Sequence, residues 1–234
     1  MIIDKDKRFI FVHNPRTGGT SIRKVIEEYQ DHEIYKKVDD ALSETNFKNV
    51  SFSHTDHCSA DLVPNIQDYG YVFTCVRNPF SRTYSYYQKI STAADIESRK
   101  LGYANFSDMI KGTPGHALDA APAVDPPTFD AIVGEMYDMW SSPNPAYRYD
   151  SMLVYPYDFW TDGAAAVIRF EDLHNIDTWN QLIHKCGIDD NVPRPHENRA
   201  CQDPFEYRDH YTDSMKKKIH RIFQKEIETY GYEF

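Results

Sequence analysis

Phe9-Ile10-Phe11-Val12-His13-Asn14-Pro15-Arg16-Thr17-Gly18-Gly19-Thr20-Ser21-Ile22 joins an apolar run to an amphipathic one through a glycine-containing turn. The first four residues are β-branched or aromatic, the pattern of a short buried strand. Beyond the turn, Ile22, Val25, Ile26 and Tyr29 recur at helical spacing, with Thr20 or Ser21 expected to cap the first turn. Strand, paired glycines and helix start together make a seat for an oxyanion. The glycines let backbone approach closely, and the unpaired N–H groups of the helix N-terminus point at the anion. An ordinary βα reversal uses the same residues, so the turn alone leaves both readings open. A nucleoside-triphosphate loop of the G-x-x-x-x-G-K-[ST] type places Lys directly before the Ser or Thr that ligates magnesium. Here the sequence is Gly19-Thr20-Ser21 and the cation, Arg16, precedes the glycines, which argues against a magnesium-dependent ATPase or GTPase.

Working outward, Tyr71-Val72-Phe73-Thr74-Cys75-Val76 is the next strand, and it runs into Arg77-Asn78-Pro79-Phe80-Ser81-Arg82 and a helix carrying Tyr84, Ser85 and Tyr87. If the two strands are parallel, Arg77 leaves the sheet at the same edge as the first loop. Pro79 suits the first turn of a helix, where its missing N–H is no loss. Ser85 follows Arg77 by eight residues, roughly two helical turns, a spacing that lets a hydroxyl and a guanidinium converge on one phosphate. Arg is the expected residue where such a group is recognised by several planar donors.

These two stretches carry a resemblance. HNPRTGGTSI resembles the 5′-phosphosulfate loop, and CVRNPFSRTYSYY the 3′-phosphate motif, of sulfotransferases that use PAPS (3′-phosphoadenosine 5′-phosphosulfate), most nearly the Golgi-type carbohydrate sulfotransferases and their bacterial relatives. Ile168-Arg169-Phe170-Glu171-Asp172-Leu173 and the ending from Tyr211-Thr212-Asp213 to Tyr230-Gly231-Tyr232-Glu233-Phe234 are similar to the same group. The resemblance implies an α/β fold: a single domain over residues 1–234, with a central parallel sheet and a P-loop-like strand-loop-helix. It implies PAPS as donor and PAP as product, with no metal required. Arg16, Thr17, Gly18, Gly19, Thr20 and Ser21 would hold the 5′-phosphosulfate, and Arg77 and Ser85 the 3′-phosphate. Asn198 and Arg199, in the Pro-rich loop from Pro193 to Arg208, are the candidates for the adenosine or its 3′-phosphate. Arg16 stands where the family usually has Lys; the charge that would stabilise the leaving phosphate is kept and its shape changed.

Sulfuryl transfer to an alcohol needs a group to take the hydroxyl proton, and His titrates in the working range. The chain has 10 His. Val50-Ser51-Phe52-Ser53-His54-Thr55-Asp56-His57 begins as a strand between the two nucleotide motifs, the interval in which the resembled proteins often place a catalytic His. His54 is the first candidate for the general base and His57 the second. A zinc reading of His54, His57 and Cys58 finds no fourth ligand at a suitable spacing. Glu171 reads as an architectural carboxylate, with Arg169 as its partner. In the last helix Met215, Ile219, Ile222, Phe223, Ile227 and Tyr230 share one face, Gly231 stops it, and Lys216, Lys217 and Lys218 form a solvated face.

Composition bounds the remaining readings. The chain has 234 residues, 41% of them hydrophobic, which suits one substantial core. Nothing reaches the roughly 18 apolar residues of a membrane span, and Met1 to Lys7 lack a signal-peptide core. Cys58, Cys75, Cys186 and Cys201 form no CxxC pair and are expected as free thiols in the cytoplasm. A net charge of −10 disfavours nucleic acid and heavily sulfated polymers as partners. A hydroxyl-bearing acceptor of little charge is expected, a glycan first and a small alcohol or phenol second. About residues 91–161 form the acceptor-specific insertion or lid. That segment holds a Pro- and Ala-rich loop from Thr113 to Pro127 and a run of aromatics, Tyr137, Trp140, Tyr147, Tyr149, Tyr155, Tyr157, Phe159 and Trp160. The rivals are an atypical small-molecule kinase and a catalytically silent PAP-binding module.

Overall fold

A computed structural model describes residues 1–44, 60–101, 128–144, 154–155, 157–188, 192 and 206–234. The elements in chain order are β1 (Ile2–Ile3), β2 (Phe9–Val12), α1 (Gly19–Ile26), α2 (His32–Glu44), β3 (Tyr71–Val76), α3 (Pro79–Leu101), α4 (Phe129–Ser141), α5 (Tyr157–Thr161), β4 (Ala166–Arg169), α6 (Ile176–Lys185), α7 (Asp213–Ile222) and α8 (Gln224–Tyr230). Contacts divide the chain into two compact units. The first is built from 1–48, 52–77 and 156–199, the second from 49–51, 78–155 and 200–234.

The first unit holds a four-stranded sheet in the order β1-β2-β3-β4. β2, β3 and β4 are parallel, as expected, with Phe11 opposite Phe73, Val12 opposite Thr74 and Val76 opposite Arg169. The sheet is nevertheless mixed, because β1 pairs antiparallel to β2, Ile2 opposite Phe11. This two-residue edge strand is too short to carry a periodic signal. β2 is buried at every residue, the mark of a strand covered on both faces. Strand alternation sends Phe9, Phe11, Phe73 and Cys75 to one face. There they form one apolar cluster with Ile22 and Ile26 of α1 and Trp179, Leu182 and Ile183 of α6. Thr74 is the polar exception within the strand, and its hydroxyl is satisfied by donating to the Val12 carbonyl at 2.9 Å.

Two local expectations are corrected here. Neither Thr20 nor Ser21 caps α1: the helix already starts at Gly19, and its N-cap is Gly18, two residues before Thr20, in the left-handed region (φ 82°) with no side-chain cap. The apolar face from Met215 to Tyr230 is two helices, not one. Phe223, at φ −112°, interrupts it, while Gly231 ends α8 as expected at φ 61°.

The second unit is helical. α3 starts at Pro79 as expected, and the Asn78 side chain accepts from the Phe80 N–H at 3.0 Å while donating to the Glu233 carbonyl at 2.7 Å. The ring of Phe234 meets those of Phe80, Tyr207 and Tyr211 edge-on. Tyr211, deeply buried, donates its hydroxyl to the Phe80 carbonyl at 2.9 Å, and burial drives its pKa well up. Between α3 and α8 lies a buried ion pair: Arg82 donates to both carboxylate oxygens of Glu226, at 3.2 and 3.1 Å, with Phe223 under its guanidinium at 4.7 Å. Side-chain exposure is 7% for Arg82 and 2% for Glu226. Loss of either partner strands the other charge in the core, so Arg82→Ala is expected to cost about 3–5 kcal/mol in denaturant unfolding. The double replacement Arg82→Met with Glu226→Leu is expected to recover most of that loss; a double variant no better than the single would refute the account.

Candidate functional site

The parallel register brings the carboxyl ends of β2, β3 and β4 to one edge of the sheet, and three loops leave from it. The first runs from His13 to Gly18. Its backbone is folded on itself by the Thr17 hydroxyl, which donates to the Asn14 carbonyl at 2.7 Å within a wholly buried contact. Arg16 occupies the left-handed region at φ 65°, an unusual conformation for a bulky residue. Gly18 follows in the same region. With no side-chain cap on α1, the N–H groups of Gly19 and Thr20 lack an intrahelical acceptor. The Ser21 N–H turns back to the Gly18 carbonyl at 3.0 Å.

Both glycines are sterically required. A Cβ on Gly18 would lie 2.5 Å from Cδ2 and 2.7 Å from Cε2 of Phe170, and a Cβ on Gly19 would run into the His13 imidazole. His13 is buried and stacked on Phe11, with ring centroids 5.6 Å apart. Asn14 is buried too, and among the described residues its Nδ2 has no hydrogen-bond partner. A cradle stripped of Cβ atoms, an uncapped helix start and an unsatisfied buried donor fit an oxyanion group.

The second loop leaves β3 at Arg77. Its Nη1 donates to the Arg16 carbonyl at 3.3 Å, so the two loops do share one edge of the sheet. The third leaves β4 as a short 3-10 helix, Phe170–His174. Arg169 donates to both oxygens of Asp172, at 2.8 and 2.9 Å, and this holds the Asp172 carboxyl below its usual range. Arg169 thus pairs with Asp172, the neighbour of Glu171. Cys75 is no nucleophile: complete burial pushes its thiol far up, and the nearby Glu171 charge adds to the shift. Cys186 is likewise pushed up to about 12 by burial.

Of the residues singled out in the sequence, Arg16, Thr17, Gly18, Gly19, Thr20, Ser21 and Arg77 gather in the first unit. Ser85 is buried within α3 of the second unit. His54, His57, Cys58, Asn198 and Arg199 lie outside the described residues. His13, Asn14 and Phe170 lie in stretches the sequence singled out, but none was given a role of its own there. The signal for Phe170 was its place at the carboxyl end of the third parallel strand, the edge where open α/β sheets bind ligands. Among the described residues there is no cluster of His, Cys, Asp and Glu suited to a metal ion, and no helix is long and apolar enough to cross a membrane.

A family model described as the sulfotransferase family matches residues 1–233. No curated protein matches the chain. Among solved structures, it is similar to the mouse sulfotransferase SULT7A1 complexed with PAP, at 12% identity and a TM-score of 0.49, over 97% of this chain and 85% of that one.

The two glycines are open to a direct test. A residue with a Cβ at a left-handed position costs about 1–2 kcal/mol, and at position 18 the Phe170 ring adds to that. Gly18→Ala is therefore expected to lower the thermal midpoint by several degrees. Gly19→Ala should do the same and be partly rescued by His13→Ala. Wild-type midpoints in both glycine variants would show that the rings do not occupy those seats.

Proposed function

The chain belongs to the sulfotransferase family, as a PAPS-dependent transferase of the sulfuryl group, and on that premise we propose that its acceptor is a carbohydrate hydroxyl deprotonated by His54. In the reaction the acceptor oxygen forms a bond to sulfur while the bond from sulfur to the 5′-phosphate oxygen breaks, and PAP leaves with the electron pair. The acceptor proton passes to His54. Charge builds on the leaving phosphate, where Arg16 and the start of α1 supply a fixed positive field. Arg77 and Ser85 hold the 3′-phosphate.

The observation that carries the donor half of this reading is the Arg77 Nη1 to Arg16 carbonyl contact at 3.3 Å, which ties the Arg77 side chain to the backbone of the first loop at one sheet edge. For the acceptor half, support comes from charge and from exposed rings. The net charge of −10 favours an acceptor of little charge. On α4, Tyr137 and Trp140 are partly exposed with ring centroids 5.7 Å apart, and Arg221 steadies Tyr137 through a 3.0 Å hydrogen bond to its hydroxyl. Such a pair suits the face of a sugar ring. By contrast Tyr155 and Trp160, from the same aromatic run, are core residues.

Calorimetric titration with PAP, AMP and magnesium-ATP tests the donor. PAP is expected to bind far more tightly than AMP, and Arg77→Ala to reduce PAP affinity tenfold or more with little change for AMP. Preference for magnesium-ATP would instead indicate a kinase. With PAPS as donor, transfer to neutral oligosaccharides is expected to exceed transfer to phenols or sulfated polymers. His54→Ala is expected to keep PAP binding and lose about 10²–10⁴ in turnover; a His54→Ala enzyme of unchanged rate would remove it as the base.

A further inference from the structure

Phe170 touches both nucleotide motifs from a third strand. The Arg77 guanidinium carbon lies 4.5 Å from the centre of its ring. One edge of the ring, through Cδ2 and Cε2, fills the space a Gly18 side chain would need. His174 meets it at 75° with centroids 5.4 Å apart, and the ring packs against the core of the first unit. The ring therefore has a fixed orientation before any ligand arrives. Its face is offered to a guanidinium that also donates to the carbonyl of Arg16. A guanidinium stacked on an aromatic face keeps its plane.

We propose that Phe170 is a positioning residue that sets the Arg77 guanidinium for the 3′-phosphate while seating Gly18 of the 5′-phosphosulfate loop. It rests on the donor reading above for the identity of the phosphate. The inference differs from a nucleobase contact, because loss of the ring face is felt at the 3′-phosphate, while the apolar volume that seats Gly18 can be kept by another side chain. Removing the face lets the guanidinium swing. Affinity then falls for a ligand that carries the 3′-phosphate and stays level for one that lacks it.

The test is the ratio of PAP to AMP affinity, measured by calorimetry on the full chain for Phe170→Leu and Phe170→Tyr, each first checked for a cooperative thermal transition. Leu keeps the apolar volume without the π face, and Tyr keeps the face. The ratio is expected to fall about tenfold in Phe170→Leu, within the range of a desolvated cation–π contact, and to stay near wild type in Phe170→Tyr. In an Arg77→Ala background, Phe170→Leu should lower it no further. An unchanged ratio in Phe170→Leu, equal losses in Leu and Tyr, or additive losses with Arg77→Ala would overturn the proposal. A second readout needs no nucleotide: modification of Arg77 by phenylglyoxal, followed by peptide mass mapping, should be faster in Phe170→Leu than in the wild type or Phe170→Tyr. Equal rates would overturn the positioning role. A wild-type chain that binds PAP no better than AMP would overturn the donor reading instead, and the modification rates keep the two failures apart.

Discussion

The parallel pairing of β2 with β3 is the constraint from which the site follows. With Val12 opposite Thr74 and Val76 opposite Arg169, three strands end at one sheet edge and direct three loops outward there. Had β3 run antiparallel, Arg77 would emerge at the far edge, the length of a strand from Arg16. The register is held because both faces of the strands are used. A slip by one residue would exchange Phe9 and Phe11 with Ile10 and Val12 against α1 and α6, and would part the Thr74 hydroxyl from the Val12 carbonyl.

On that frame the first loop is fixed from several sides. The Thr17 hydroxyl ties its backbone internally, Arg77 ties the Arg16 carbonyl, and the rings of His13 and Phe170 close on the glycines. A left-handed Arg16 costs roughly 1–3 kcal/mol and persists only where its surroundings over-determine it. These contacts supply that surplus. On the proposed reading that rigidity has a use: the loop's backbone donors are fixed before an anion arrives, so little reorganisation would be left to oppose charge development during transfer.

Much of this was legible in the sequence because strands and glycine turns are local. Phe9–Val12, Tyr71–Val76 and the strand ending at Arg169 could be read from β-branched and aromatic runs, and Pro79 from its missing N–H. What escaped depends on tertiary partners. Gly18, not a hydroxyl residue, is the N-cap of α1, where the Phe170 ring occupies the space a side chain would take. Glu226 reads as a surface residue of an amphipathic helix until Arg82, remote in the chain, buries it. Phe223 breaks the last helix where its ring lies beneath that same guanidinium. β1, at two residues, has no periodicity to read.

An acidic chain that takes an anionic donor is not a contradiction, since the two effects act over different distances. At physiological ionic strength the field of remote carboxylates fades over about 8 Å, whereas the proposed donors, Arg16, Arg77 and the uncapped start of α1, would act on a bound group at contact range. The local cations therefore govern what the loop holds. Net charge acts earlier, during approach, where an extended polyanion meets the summed field of the surface and a small nucleotide meets chiefly the field around its own site. On the proposed reading, short-range donors would select the phosphosulfate and long-range charge would turn away heavily sulfated polymers, so that one acidic sequence could serve both requirements.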